Sequence, residues 1–238
     1  MQREFSNQLF KQMFDSTHIK QIATNLKHIE DTRTFIYEDD NTTVRSIFAP
    51  QWFDKTLDDF TKNNPMIPIV KEILNSEVYL HQSHFNYKNA KTGGEYAWHS
   101  DYTFWKAHDG MIEPNALSLL FLLDDMTEEN GPLTVLPGSE NYLVEKKNTD
   151  WTIKHDANET DGMITEHMVS MTGLQRHTVV GKAGDVFVMH ANTWHTSDCN
   201  KSSKDRNVLF LCYNSIDNKT TKYDRPDHIV LRDFTPVG

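Results

Sequence analysis

The chain has 238 residues, 37% of them hydrophobic and 24% charged, with a formal net charge of -10. That length suits one domain with a real core. The negative balance excludes nucleic acid or an anionic membrane as a bulk electrostatic partner, while a small anion held by one or two cations remains open. Cys199 and Cys212 form no CxxC pair, so no disulfide framework is expected and a reduced cytoplasm is the expected compartment. The N-terminal residues lack the apolar core of a signal peptide, and no apolar run reaches membrane-spanning length.

Phe5, Leu9, Phe10, Met13 and Phe14 fall on one helical face, which Ile19, Ile22, Ala23 and Leu26 continue, so one or two N-terminal helices are predicted. Thr34 to Tyr37 is a short strand candidate. Gln51 to Phe60 and Ile67 to Leu74 read as helices, punctuated by Pro65 and Pro68. From Glu77 to Lys88 a period of two predicts a strand, followed by a Gly-containing loop over 89–95. Residues 99–110 read as irregular and rich in aromatics. Ala116 to Leu123 and Leu133 to Leu136 are strand candidates around a turn region, with a tight turn at Pro137-Gly138-Ser139. The polar stretch 140–175 reads as a loop or lid with some helix, expected to order over a bound substrate. Strands resume at His177 to Val180, Asp185 to His190 and Val208 to Tyr213. Helices followed by many short strands predict an α+β domain with a β-sandwich or jelly-roll core.

His99-Ser100-Asp101 sets an imidazole and a carboxylate two residues apart, so on a strand-end turn both can point one way. Taken alone, such a pair more often marks a surface loop than a metal site. A third ligand is expected from a distant strand of the facing sheet. His195, after the strand candidate at 185–189, fits that place, and His190 competes for it; His195 is preferred for the residues that follow it. Two histidines and one carboxylate suit Fe(II) and leave three positions open for a bidentate 2-oxo acid and O2. Arg206 opens the strand candidate at 208–213, and a guanidinium can fork onto the distal carboxylate of a 2-oxo diacid. A solvent-facing arginine in the charged run 201–206 is the alternative. Ser197 can add a hydroxyl to the same carboxylate. His81, His84, His167 and His177 read as surface or satisfied core histidines.

Around these residues stand Val44-Arg45-Ser46-Ile47-Phe48, Ser76 to Ser83, Asn86-Tyr87-Lys88, Trp98 to Asp101, Trp105 and Asp109-Gly110-Met111. Ala116-Leu117-Ser118, Asn130 to Leu133, Pro137-Gly138-Ser139, Asn192-Thr193 and Tyr213-Asn214-Ser215 follow in order. In this series the chain resembles the phytanoyl-CoA hydroxylase superfamily of Fe(II)/2-oxoglutarate dioxygenases, with a particular likeness to bacterial ectoine hydroxylases, over about residues 34–215. The resemblance implies a double-stranded β-helix with flanking helices, as one domain over 1–238: a helical part to about 75, a jelly-roll core over about 76–216 and a tail over 217–238. It implies iron on His99, Asp101 and His195, and 2-oxoglutarate on Arg206, helped by Ser197 and Asn86. Gln82 and Trp105 would line the substrate pocket, with Ser118 and Arg45 as further substrate candidates and Lys106 and Thr103 as candidate contacts for a substrate carboxylate. An aromatic wall such as Trp105 suits a cationic or zwitterionic molecule.

The chain departs from the ectoine hydroxylase pattern at its pocket positions. After Asp101 it reads Tyr102-Thr103-Phe104-Trp105-Lys106 where that pattern has Phe-Glu-Thr-Trp-His. Leu120 replaces a serine, Asn207-Val208 replaces Ser-Asn, and Met189 replaces an aromatic residue. The expectation is the same chemistry on a different small molecule: hydroxylation of a small amino acid or related zwitterion by a monomer or homodimer. Ectoine 5-hydroxylation and a non-catalytic metal- or ligand-binding jelly roll are the alternatives. Asp101 counts against a halogenase, which needs a small residue there to admit chloride.

Overall fold

The computed structural model describes residues 7–145 and 162–238. The described chain opens with strand β1 (Gln8–Phe10), helix α1 (Ser16–Leu26), strands β2 (Phe35–Tyr37) and β3 (Val44–Phe48), and helices α2 (Lys55–Asn63) and α3 (Ile67–Leu74). Strands β4 (Val78–Lys88) and β5 (Tyr96–His99) follow, then helix α4 (Asp101–Phe104), a π-helical turn over Trp105–Asp109, and strands β6 (Ala116–Leu122) and β7 (Leu133–Leu136). Helix α5 (Glu166–Thr172) precedes β8 (His177–Thr178), β9 (Val186–His190), β10 (Trp194–Ser197) and β11 (Arg206–Ser215).

Local chemistry sets the helix starts. Asp15 caps α1 by accepting the Thr17 N–H, and Asp54 caps α2 by accepting the Leu57 N–H. Pro68 sits in the first turn of α3, where its missing N–H costs nothing.

The strands form two antiparallel sheets. The larger runs β1-β9-β6-β11-β4-β3-β2 and the smaller β5-β10-β7-β8. Strands β9-β6-β11-β4 face the smaller sheet across a core that includes Leu120, Leu122, Leu133, Val135, Phe187, Met189 and Val208. This is the expected double-stranded β-helix. The outer face of the larger sheet, carrying Phe85, Tyr87, Leu119, Phe121 and Leu209, packs on Ile22 and Leu26 of α1, Leu57 of α2 and Val70 of α3. The central strands β6, β11 and β4 bury both faces; in β4 from Gln82 to Lys88 odd positions such as Phe85 and Tyr87 turn toward the helices and even positions toward the second sheet, while Val78 and Leu80, before the bulge, join the helix-side core.

Register lines up the inner face. Lys88 pairs with Arg206; Ser46, Asn86 and Val208 form the next row. Phe48, His84, Phe210 and Leu120 form another, and Gln82, Cys212 and Ser118 another still. These rows carry the side chains of the site.

Several expectations change. Residues 8–10 form an edge strand on β9 rather than a helix. Leu9 packs into the core between the sheets and Phe10 into the core under the helices, so their alternation serves a strand, and pairing with an open edge outweighs helical spacing. Phe5 lies outside the described residues. The predicted helix at 51–60 begins only at Lys55, after a short turn at Pro50–Trp52. The stretch 99–110 is helical rather than irregular from Asp101 onward. The part of the proposed lid at 146–161 lies outside the described residues; its flanks contain a short turn at Ser139–Asn141 and α5, which packs Val169 onto Trp98 and Trp194. The tail folds back, with the Leu231 and Val237 N–H groups donating to His81 and Val78 carbonyls of β4. No helix of the described residues is long and apolar enough to cross a membrane.

Candidate active site

His99 ends β5, Ser100 is extended, and Asp101 begins α4. His195 lies on β10 directly opposite His99. The third candidate ligand thus arrives from the neighbouring strand of the same sheet, not from the facing sheet. The two imidazole centroids are 4.1 Å apart. Asp101 Oδ1 lies 3.9 Å from His99 Nε2 and 3.8 Å from His195 Nε2.

Hydrogen bonds around this trio fix which atoms face inward. His99 Nδ1 is 2.7 Å from the Ala97 carbonyl and His195 Nδ1 is 3.0 Å from the Thr193 carbonyl. A carbonyl only accepts, so each Nδ1 carries a proton, which in the neutral ring leaves the lone pair on Nε2. The Ser118 hydroxyl donates to Asp101 Oδ2 at 2.9 Å, which leaves Oδ1 toward the histidines. Burial, reinforced by the adjacent His195, pushes His99 well below the ordinary imidazole range. One ligand atom from each residue lies within 4.8 Å of the other two. Two imidazole nitrogens and one carboxylate oxygen with supported outer atoms are a donor set that fits Fe(II). His190 takes no part; its Nδ1 accepts the Asn192 N–H at the end of β9.

Arg206 begins β11, the central strand of the larger sheet, and is 3% exposed. Its Nη2 donates to the Gly131 carbonyl and its Nη1 to Asn86 Oδ1 at 3.4 Å, while Nε has no partner among the described residues. Burial lowers its pKa to about 10. Gly131 has φ +72°, and a Cβ there would stand 2.5 Å from the Asp198 carbonyl oxygen, so only glycine fits the turn that presents its carbonyl to Arg206. A buried guanidinium with an orphaned N–H and no ion-pair partner among the described residues is matched to an incoming carboxylate.

One cavity joins the trio to Arg206. Asn86, Tyr96 and Ser197 line it beside the guanidinium; His84, Leu120, Leu133, Thr196 and Phe210 form the rest of its wall. Behind that end, Lys88 donates to the carbonyls of Gly94, Ser197 and Asp198. Burial and the nearby Arg206 and Arg45 lower its pKa to about 7.

The other expected pocket residues do not reach this cavity. Trp105 is 2% exposed, stands edge-on to His81, and donates its Nε1–H to Gln82 Oε1 at 3.3 Å. Those two side chains satisfy each other in the interior. Ser118 serves Asp101. Arg45 pairs with Glu38 and stacks on the Tyr96 ring at 3.8 Å. Lys106 lies 3.9 Å from Glu145, and Thr103 donates to the Val144 carbonyl.

Among the cavity residues that escaped the sequence reading are His84 and Tyr96. His84 is stacked between Phe48 and Phe210, with centroids 4.8 and 4.7 Å away, and burial lowers its pKa to about 4. Its signal was its place in the period-two row with Gln82 and Asn86. Tyr96 had no signal beyond lying three residues before His99.

A double-stranded β-helix with two histidines and one aspartate at one end of a cavity and a buried arginine at the other defines a class of metal-dependent enzyme fold. Residues 5–208 match the phytanoyl-CoA dioxygenase (PhyH) family, and the chain belongs to it. It is 31% identical over 214 residues to L-proline trans-4-hydroxylase of Streptomyces griseoviridis, covering 85% of this chain and 79% of that one. It is 34% identical over 209 residues to ectoine dioxygenase of Bordetella bronchiseptica, covering 83% and 67%. The fold matches the crystal structure of EctD from S. alaskensis with bound Fe at TM-score 0.85 and 27% identity, over 98% of this chain and 83% of the other. The same protein with 2-oxoglutarate and 5-hydroxyectoine matches at TM-score 0.84, with 27% identity over 96% and 81% of the two chains.

Proposed function

We propose that the protein is an Fe(II)- and 2-oxoglutarate-dependent dioxygenase that hydroxylates an unactivated C–H bond of a small amino acid or related zwitterion. The observation that carries this is the single cavity holding both the His99, Asp101 and His195 donor set and a buried Arg206 that lacks a carboxylate. Bound Fe(II) and 2-oxoglutarate supply the oxidation, with O2 consumed and succinate and CO2 released. The protein's own residues place the reactants. His99, Asp101 and His195 would hold the metal through Nε2, Oδ1 and Nε2. Arg206, with Ser197 and Asn86 beside it, would hold the distal carboxylate of 2-oxoglutarate and so turn its 2-oxo end toward the metal. Leu120, Leu133 and Phe210 exclude water from the space between.

The named activities of the relatives support an amino-acid-sized substrate. Cys199 and Cys212 are both unpaired, which supports a reducing compartment, and nothing in the fold requires more than a monomer or homodimer. Ectoine remains a second reading, favoured by the EctD likeness. Leu120 stands against it, because an apolar side chain lines the cavity where the ectoine pattern carries a serine.

The test is anaerobic loading with Fe(II) and 2-oxoglutarate, then O2 and a panel including L-proline, other free amino acids and ectoine. One panel member should gain one oxygen by mass spectrometry with matching succinate. Asp101→Ala should abolish both. Undiminished turnover in that variant would sink the metal assignment, and the absence of any visible charge-transfer band on loading would favour a non-catalytic binding protein.

A further inference from the structure

Cations crowd the end of the cavity away from the metal donors. The Arg45 guanidinium lies 3.8 Å and Lys88 Nζ 5.2 Å from the Tyr96 ring centroid. Arg206 Nη1 reaches Asn86, whose own Nδ2–H donates to the Tyr96 oxygen at 2.9 Å. Glu38 pairs with Arg45, and neither Lys88 nor Arg206 has an ion-pair partner among the described residues: Lys88 is held by three carbonyls and Arg206 by a carbonyl and an amide.

The hydrogen-bond count at the phenol is informative. Asn86 donates to the oxygen, so that contact does not use the phenol proton. The other neighbours are the Arg45 guanidinium, which only donates, and Ser46 Oγ at 3.2 Å, where either oxygen can donate. With Ser46 as donor, the Tyr96 oxygen accepts and its own O–H is left for the cavity. Tyr96 lines the cavity, and so does Arg206 with its orphaned Nε–H. A neutral donor and a charged one therefore serve the same end of one cavity. The ring that carries the neutral donor is clamped by a stacked guanidinium.

We infer that the Tyr96 hydroxyl donates a hydrogen bond to the distal carboxylate of the 2-oxo diacid, beside Arg206, and that Arg45 is a positioning residue that holds the ring in place. This rests on the 2-oxoglutarate reading above and assigns Arg45, a substrate candidate in the sequence, to the co-substrate end. Tyr96 binds the carboxylate and takes no part in bond making.

The experiment uses Fe(II)-loaded protein without O2. The affinity for 2-oxoglutarate is read from the charge-transfer band, and Fe(II) affinity is measured separately. Tyr96→Phe removes one oxygen and keeps the stacked ring. Its Kd for 2-oxoglutarate should rise about tenfold, the size of one hydrogen bond to a charged group, with Fe(II) affinity unchanged. 2-Oxobutyrate, which lacks the distal carboxylate, should bind both proteins equally. Arg45→Gln keeps the hydroxyl and should show a smaller loss, again confined to 2-oxoglutarate. Unchanged 2-oxoglutarate affinity in Tyr96→Phe overturns the inference. So does an equal loss with 2-oxobutyrate, which would mean general damage to the cavity. If the parent protein binds no 2-oxoglutarate at all, the proposed function fails first and the inference with it, so the two failures are distinguishable.

Discussion

Ser118 spends its one hydroxyl proton on the Asp101 oxygen turned away from the histidines. It holds the carboxylate so that Oδ1 meets the metal position without a search. Outer partners of this kind are worth about 10- to 100-fold in metal affinity. Ser118→Ala should therefore weaken Fe(II) binding by about that factor in an anaerobic metal titration, and an unaltered Kd would remove this role. At this scale the imidazoles, carboxylate and guanidinium at 99, 101, 195 and 206 were each readable as surface residues on their own; the ordered series of blocks around them singled them out, and the structure brings them to one cavity. Ser118 was visible only as part of a motif, because a serine beside a substrate and a serine behind a ligand are spelled alike. Trp105 was placed at the pocket only by the family resemblance, and the structure holds it in the interior against His81 and Gln82, outside the cavity.

At the scale of elements, the π-helical turn after α4 ends in Asp109, which is fully buried. Arg225 from the folded-back tail grips it through both carboxylate oxygens. Burial alone would raise the Asp109 pKa; the neighbouring His81, with Nε2 3.5 Å from Oδ2, and the charge of Arg225 outweigh it and hold the carboxyl below its ordinary value. Because Asp101 begins the same helical segment, the tail is tied to the site by this ion pair together with the Thr221 and Lys222 N–H groups on the Asp109 carbonyl. Arg225→Ala strands a buried carboxylate and should cost about 3–5 kcal/mol of stability, read from urea unfolding, with Arg225→Lys recovering part of it. A loss below about 1 kcal/mol would show the pair to be peripheral. None of this was legible. The partners are 116 residues apart, and a lone arginine in a polar tail has no period. β10 was missed similarly: Trp194–Ser197 is too short to show alternation, and only pairing with β5 and β7 makes it a strand. By contrast β4 and β6, long and apolar on chosen faces, could be read directly.

For the whole molecule, buried neutral histidines set the response to acid. Burial lowers His84 to about 4 and lowers His81 as well. In the unfolded chain each titrates near 6.5. The unfolded state therefore binds more protons between those values. The stability from neutral burial is fully present above about pH 6.5 and is lost as pH falls toward 4, at about 1.4 kcal/mol per pH unit for each such group. Urea midpoints measured from pH 7 to 4.5 should fall more steeply for the parent protein than for His84→Phe, which keeps the stack with Phe48 and Phe210 but takes up no proton. Equal slopes would contradict this account. The jelly roll itself was readable from the succession of short strands. Which strands neighbour one another was not, and so His195 was expected in the wrong sheet: adjacency depends on pairing over long separations that no local pattern records.

The two imidazole supports are main-chain oxygens, at Ala97 and Thr193. No base change in either codon deletes them so long as the backbone keeps its path; the Ala97 side chain is exposed, whereas Thr193 is fully buried and is held by packing as well. The carboxylate's support is a side-chain hydroxyl and can vanish with one nucleotide. Substitution therefore threatens the supports of the three candidate ligands unequally: two of them rest on the backbone path and one on the side chain at position 118.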